Sequence, residues 1–262
     1  MHLARELGGR PVHHPALVAY FMVDRDRRGS FGRLALQARR AGADALELGF
    51  PFSDPIADGP VLQAVADRAL KNGTTWRDLI GAIGETSPIL PTAVMTYANP
   101  VWRRGLDRGI LELRRAGAGG LIVPDLSLEE ARPWRRSARE ADVDLIMLAA
   151  PGARPQRVAA LARASSGFLY LVSRYGTTGT SGGMASDLAG IVRASHDTSP
   201  TLPVIVGFGI HDGPSARAAM RSGADGVVVA TALEEALGTT VSLAAVDRIL
   251  GPVRRALARP AR

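Results

Sequence analysis

The chain has 262 residues, 46% of them apolar, with 29 glycines, 17 prolines and a formal charge of +7. That length suits one βα barrel of about 250 residues, and no apolar run approaches the roughly 18 residues of a membrane span. The lack of cysteine excludes disulfides, thiolate nucleophiles and cysteine-held metals. The positive charge is almost all arginine spread over helical stretches, with 5% aromatic residues, which reads as solvated helix faces and argues against a nucleic-acid surface.

In chain order, residues 1–14 read as a charged lead-in without the apolar core and small-residue cleavage site of a secretory signal, which points to the cytoplasm. A first short apolar strand is expected at 17–23 and an amphipathic helix over 31–41. Ala41-Gly42-Ala43-Asp44 then precedes Ala45-Leu46-Glu47-Leu48, a helix stopped by glycine and followed by a buried strand at 45–48. The pattern recurs at Ala116-Gly117-Ala118-Gly119, before a strand at 120–123, and at Ser222-Gly223-Ala224-Asp225, before one at 226–229. Further strands are expected at 89–96, 144–148, 168–172 and 203–207, with helices over 105–116, 128–141 and 214–221. Residues 253–262 finish a last outer helix and then fray. Eight strands alternating with helices, with no linker between them, mean parallel strands joined by right-handed crossovers. The fold expected is α/β, a single (βα)8 TIM barrel over residues 1–262.

Active sites of such barrels lie where strands end and βα loops begin. Period-2 alternation in Leu46-Glu47-Leu48-Gly49 sends both leucines to the outer helices and Glu47 into the barrel, where a carboxylate is costly without a role. The next loop, Phe50-Pro51-Phe52-Ser53-Asp54-Pro55-Ile56-Ala57-Asp58-Gly59-Pro60, is stiffened by prolines that can aim Asp58 back over the mouth. The plainer readings are a turn residue for Asp54 and a helix N-cap for Asp58. Anion-binding candidates follow late strands: Gly176 to Gly183, Gly207-Phe208-Gly209 and Ala230-Thr231, since such loops offer backbone N–H groups to phosphate. A mildly positive field would help attract such a ligand. The five histidines, His2, His13, His14, His196 and His211, show no metal-binding spacing, so no metal site is expected.

The stretch from Leu46 to Pro60 closely resembles the signature of tryptophan synthase α subunits. Met95-Thr96-Tyr97-Ala98-Asn99-Pro100, Leu121 to Leu126, Ser173 to Gly179 and Gly207-Phe208-Gly209-Ile210 extend the likeness over nearly the whole chain. The resemblance implies retro-aldol cleavage of indole-3-glycerol phosphate to indole and glyceraldehyde 3-phosphate, without metal or organic cofactor. Glu47 matches the family's proton-transferring glutamate and Asp58 the aspartate that meets the indole N–H. Thr178, Gly179 and Gly209 match positions at the phosphate, and Tyr20, Tyr97 and Tyr170 match aromatic positions at the indole pocket, where the plain alternative is core packing. It further implies that indole passes to a β subunit in an α2β2 complex, with Pro51, Asp54, Asn99 and Gly176 facing that partner. The segment from Ser173 to Leu188, rich in Gly, Ser and Thr, reads as a lid that excludes water.

The chain departs from the family pattern in three places. Met22-Val23-Asp24-Arg25-Asp26 stands where Thr-Ala-Gly-Asp-Pro is usual, and Ala230-Thr231 where Gly-Ser is usual. Alanine at a position needing positive φ would cost about 1 kcal/mol and weaken phosphate binding. The lead-in is also short for the helix that usually plugs the barrel bottom. Besides an α subunit working in a complex, a stand-alone indole-releasing lyase and a non-catalytic activator of a β subunit remain open at this point, although intact Glu47 and Asp58 argue against the last.

Overall fold

The computed structural model describes Leu3, Leu7 and residues 14–173, 187–239 and 241–258. Its strands are β1 (Ala16–Met22), β2 (Ala45–Gly49), β3 (Thr92–Met95), β4 (Gly120–Ile122), β5 (Asp144–Ile146), β6 (Leu148–Ala149), β7 (Leu169–Val172), β8 (Val204–Gly207) and β9 (Gly226–Val229). All pairings are parallel, and the order is β5-β4-β3-β2-β1-β9-β8-β7-β6. The two ends of that order are consecutive pieces of one stretch broken at Met147, so the sheet comes round on itself as a (βα)8 barrel. At the seam the Met147 N–H turns to the Ser165 hydroxyl, while its carbonyl accepts the Tyr170 N–H at 3.0 Å. A side chain thus replaces one rung of the ladder, and the strand expected at 144–148 splits in two.

The helices are α1 (Phe31–Arg40), α2 (Pro60–Lys71), α3 (Trp76–Thr86), α4 (Ala98–Trp102), α5 (Leu106–Ala116), α6 (Ala131–Glu140), α7 (Pro155–Ala164), α8 (Leu188–Thr198), α9 (Gly213–Met220), α10 (Thr231–Leu237) and α11 (Leu243–Leu257). Gly42, Gly117 and Gly223, the stops in the repeated motif, take φ of 94°, 112° and 88°, backbone that glycine adopts without strain. The third strand is shorter than expected because the N–H groups of Ile89 and Leu90 turn back to the Thr86 carbonyl. The helix expected from 128 starts at Ala131, after a turn in which the Ser127 hydroxyl accepts the Glu130 N–H.

Strand alternation builds two cores. Leu17, Ala19, Phe21 and Val23 join the layer between barrel and helices, while Ala16, Val18, Tyr20 and Met22 fill the interior. Leu3 and Leu7 belong to that interior cluster, 1% and 3% exposed, and a Cβ on Gly120 would lie 2.4 Å from Leu3 Cδ1. Leu3 and Leu7 therefore fill the barrel interior at the end where β4 begins, although the lead-in is short for a plugging helix. Arg132, Arg135, Arg136 and Arg139 line a cleft of about 730 Å³ where β5 begins, at the end of the barrel opposite the strand C-termini. Among the described residues no helix is long and apolar enough to cross a membrane.

Candidate active site

Glu47 occupies the middle of β2, directly opposite Tyr20 of β1 in the ladder. Ala45 points into the barrel interior and Leu46 and Leu48 point to the helices, so the two-residue period turns Glu47 inward. It is 1% exposed, and its Oε2 has no hydrogen-bond partner among the described residues. Burial, and then the charge of Asp58, push its carboxyl up to about 8. A group so placed is mostly protonated at neutral pH and can both give and take a proton.

Asp58 comes to the same pocket from the loop between β2 and α2. The cap of α2 is Gly59, so the N-cap reading of Asp58 does not hold. Its N–H is bonded to the Pro55 carbonyl at 3.0 Å and its carbonyl accepts from Gln63 Nε2 at 2.8 Å, which fixes the backbone and leaves the carboxylate to the pocket. The Tyr97 hydroxyl donates to that carboxylate and accepts the Ala57 N–H at 3.0 Å, while its ring stacks on Phe52 at 5.1 Å. Burial raises the Asp58 carboxyl to about 6 against the opposing pull of Tyr97. Asp54 is exposed, takes a hydrogen bond from Ser53 Oγ at 2.6 Å and behaves as a turn residue.

Tyr20 and Tyr170, each 2% exposed, line the interior beside the two acids, whose charges raise both phenols after burial does. Each ring leans over a glycine of the next strand. A Cβ on Gly49 would lie 1.9 Å from the Tyr20 hydroxyl, and one on Gly207 would lie 2.0 Å from that of Tyr170. Phe208 meets Tyr170 edge to face at 5.8 Å and stands at φ 65°, followed by Gly209 at φ 78°. Ser173 Oγ donates to the Phe208 carbonyl, tying the end of β7 to this uncommon backbone. Ala230 caps α10 at φ −119°, so alanine incurs no left-handed cost there and the expected penalty disappears.

Sequence reasoning missed the role of the first βα loop. Asp24 is 2% exposed and accepts from Asn72 Nδ2 at 3.0 Å, Arg68 Nε at 3.4 Å and its own Asp26 N–H at 3.0 Å. Arg27, also 2% exposed, pairs with Glu234 of α10 at 2.8 Å. No local signal could reveal that pair, since its members lie 207 residues apart.

Of the residues expected to face a partner, Pro51 and Asn99 line one groove of about 520 Å³ with Phe52, Ser53, Leu70 and Pro100. Ile56 and Trp102, 71% and 50% exposed, lie on the same loop and on α4. Gly176, Thr178 and Gly179, and most of the expected lid, lie outside the described residues. Among the described residues no group of three His, Asp or Glu side chains could hold a metal ion.

A family model described as tryptophan synthase alpha chain matches residues 10–248. The tryptophan synthase alpha chain of Arabidopsis thaliana is 39% identical over 203 residues, covering 77% of this chain and 74% of the relative. That of Synechococcus elongatus is 43% identical over 195 residues, covering 74% and 73%. Among solved structures, Mycobacterium tuberculosis tryptophan synthase superposes with a TM-score of 0.85 at 32% identity, over 95% of this chain and 94% of that one. A tryptophan synthase complex from Pyrococcus furiosus gives 0.80 at 29% identity, over 91% and 97%.

Proposed function

The chain belongs to the tryptophan synthase alpha chain family, and from that premise we propose how its own residues perform the lyase reaction. It is a carbon–carbon lyase that cleaves indole-3-glycerol phosphate to indole and glyceraldehyde 3-phosphate. The observation that carries the residue assignment is the inward, solvent-free Glu47 raised to about 8 beside Asp58 at about 6. Two acids whose environments hold their pKa values apart divide the acid and anion roles between them.

Glu47, protonated at neutral pH, gives its proton to indole C3, which breaks the ring's aromaticity and places positive charge on the ring nitrogen. Asp58, largely ionised, stands as the anion for that indoleninium. The Glu47 carboxylate then takes the proton of the hydroxyl on the side-chain carbon next to C3. That oxygen becomes the aldehyde as the carbon–carbon bond breaks, and the bond's electron pair returns the ring to neutral indole. Tyr20, Tyr170 and Phe208 pack the indole, and Gly209, Ala230 and Thr231 face the phosphate end; the family resemblance assigns Thr178 and Gly179 to the phosphate as well. Tyr97 holds Asp58 in place.

A β subunit is the partner that receives the indole, a reading supported by the solved tryptophan synthase complex of Pyrococcus furiosus among the structural relatives. We assign the groove holding Pro51 and Asn99, with Asp54 on the same loop, to that contact in an α2β2 assembly working in the cytoplasm. The test is indole release by the purified chain with and without a β subunit, with Glu47→Gln as control. Release that the partner accelerates and that the substitution lowers by orders of magnitude is expected. Full activity in Glu47→Gln would overturn the assignment.

A further inference from the structure

The loop that departs from the family pattern contains an arginine with a structural task. Arg27 Nη1 lies 3.0 and 2.8 Å from the two carboxylate oxygens of Glu234, and its Nη2 donates to the Gly238 carbonyl at 2.9 Å. Glu234 Oε1 in turn accepts the N–H of Met22 at 2.8 Å, the last residue of β1. One guanidinium thus grips α10 at its middle and at its C-terminal end, and the carboxylate it grips holds the end of β1. Both partners are out of water, at 2% and 1% exposure, so no solvent competes for these bonds.

We propose that Arg27 and Glu234 form a positioning pair that sets the spacing between the end of β1 and α10, and with it the fit of the substrate between them. Tyr20 sits on β1 two residues before Met22, facing the pocket, and Ala230 and Thr231 lead into α10. The inference rests on the assignment of those residues to substrate under the proposed function. Local features do not fix α10: its N-cap Ala230 makes no side-chain cap bond and the helix spans only seven residues. Glu234 also belongs to the pocket's field, because its charge reaches the Tyr20 phenol together with those of Asp58 and Glu47. The planar fork of arginine reaches two acceptors at once, which a lysine ammonium on a flexible stem does not reproduce.

The test compares wild type with Arg27→Lys and with the double variant Arg27→Met, Glu234→Met, which removes both charges and so leaves neither buried alone. Each is assayed for KM and kcat with indole-3-glycerol phosphate, and for binding of glycerol 3-phosphate by calorimetry. In the double variant KM and the glycerol 3-phosphate dissociation constant should rise about tenfold while kcat stays within about threefold. In Arg27→Lys the same two constants should rise about threefold. Wild-type KM in an active Arg27→Lys protein, with only the melting temperature lowered, would overturn the proposal and reduce the pair to a structural bridge. If the double variant does not fold, Arg27→Lys decides alone. A wild-type chain that neither releases indole nor binds glycerol 3-phosphate would instead sink the functional reading, and the positioning role with it.

Discussion

The hydroxyl of Tyr97 accepts the Ala57 N–H at 3.0 Å and donates to the carboxylate of Asp58. It thus holds the backbone and the side chain of one loop from the end of β3. It is also what pulls the Asp58 carboxyl down against burial, to about 6. Tyr97→Phe removes that donor, so the Asp58 pKa should rise by roughly half a unit to one unit. Asp58 acts as an anion, so the acidic limb of kcat/KM for indole-3-glycerol phosphate should move to higher pH by the same amount, with activity near pH 8 much less affected. A pH profile from 5 to 9 decides this. An acidic limb that stays in place in an active Tyr97→Phe enzyme would detach Asp58 from that limb.

Glu47 makes opposite demands on activity and stability. Its folded pKa of about 8 lies above the ordinary 4.5, so its contribution to stability is fully present below about pH 4.5 and is lost as pH rises through about 8. Near neutral pH the cost is roughly 2–4 kcal/mol. Glu47→Gln carries no such charge and should unfold at higher urea concentration than wild type at pH 7 and 9, with the gap narrowing towards pH 5. Its turnover should fall by about 10²- to 10⁴-fold, the usual size of a general acid–base contribution. Equal urea midpoints at all three pH values would mean that the buried carboxyl titrates normally.

Gly49 has a steric reason to be glycine. Its Cβ would stand 1.9 Å from the Tyr20 hydroxyl and 2.4 Å from the ring carbon bearing it, far inside contact distance. Gly49→Ala must push the ring off its site between β1 and β2, at a cost of about 1–3 kcal/mol and with loss of indole-3-glycerol phosphate turnover. Tyr20→Ala should cost less stability in the Gly49→Ala background than in wild type, because the clash leaves with the ring, and KM should not recover. A Gly49→Ala enzyme with unchanged melting temperature and KM would show that the ring has another place to go.

The parts of this molecule legible in the sequence are those governed by local rules. Strand period turned Glu47 inward, glycine stops fixed where α1 and α5 end, and the prolines around Asp58 marked a loop aimed at the mouth. The split at Met147 was not legible, because it depends on the Ser165 hydroxyl reaching the Met147 N–H across the seam. Arg27 and Glu234 belong to no motif and lie far apart in the sequence, and only the closing of β9 onto β1 brings them together. Ala230 was misjudged because a Gly-to-Ala difference suggests positive φ, whereas the backbone there stands at −119°.

The repeated motif before β2 and β9 ends in aspartate for a common physical reason. Asp44 Oδ2 accepts the Leu17 N–H at 2.8 Å and Asp225 Oδ2 accepts the Val204 N–H at 2.7 Å, each pinning the start of the neighbouring strand. Asp44 also meets Arg254 Nη1 at 3.3 Å, whereas Asp225 meets His196 Nε2 at 2.9 Å, and the hydrogen bond to this aspartate raises the imidazole pKa above its ordinary value. A raised folded pKa means that the stabilisation is fully present below the ordinary 6.5 and is lost as pH rises through the folded value. The two side chains are 32% and 41% exposed, so solvent screening holds the effect below about 1 kcal/mol. His196→Gln should therefore flatten the pH dependence of the urea midpoint between pH 6 and 8 and leave indole release untouched, since Asp225 still holds Val204. If the substitution leaves the pH dependence as steep as in wild type, the charge of His196 plays no part in holding that end of the barrel.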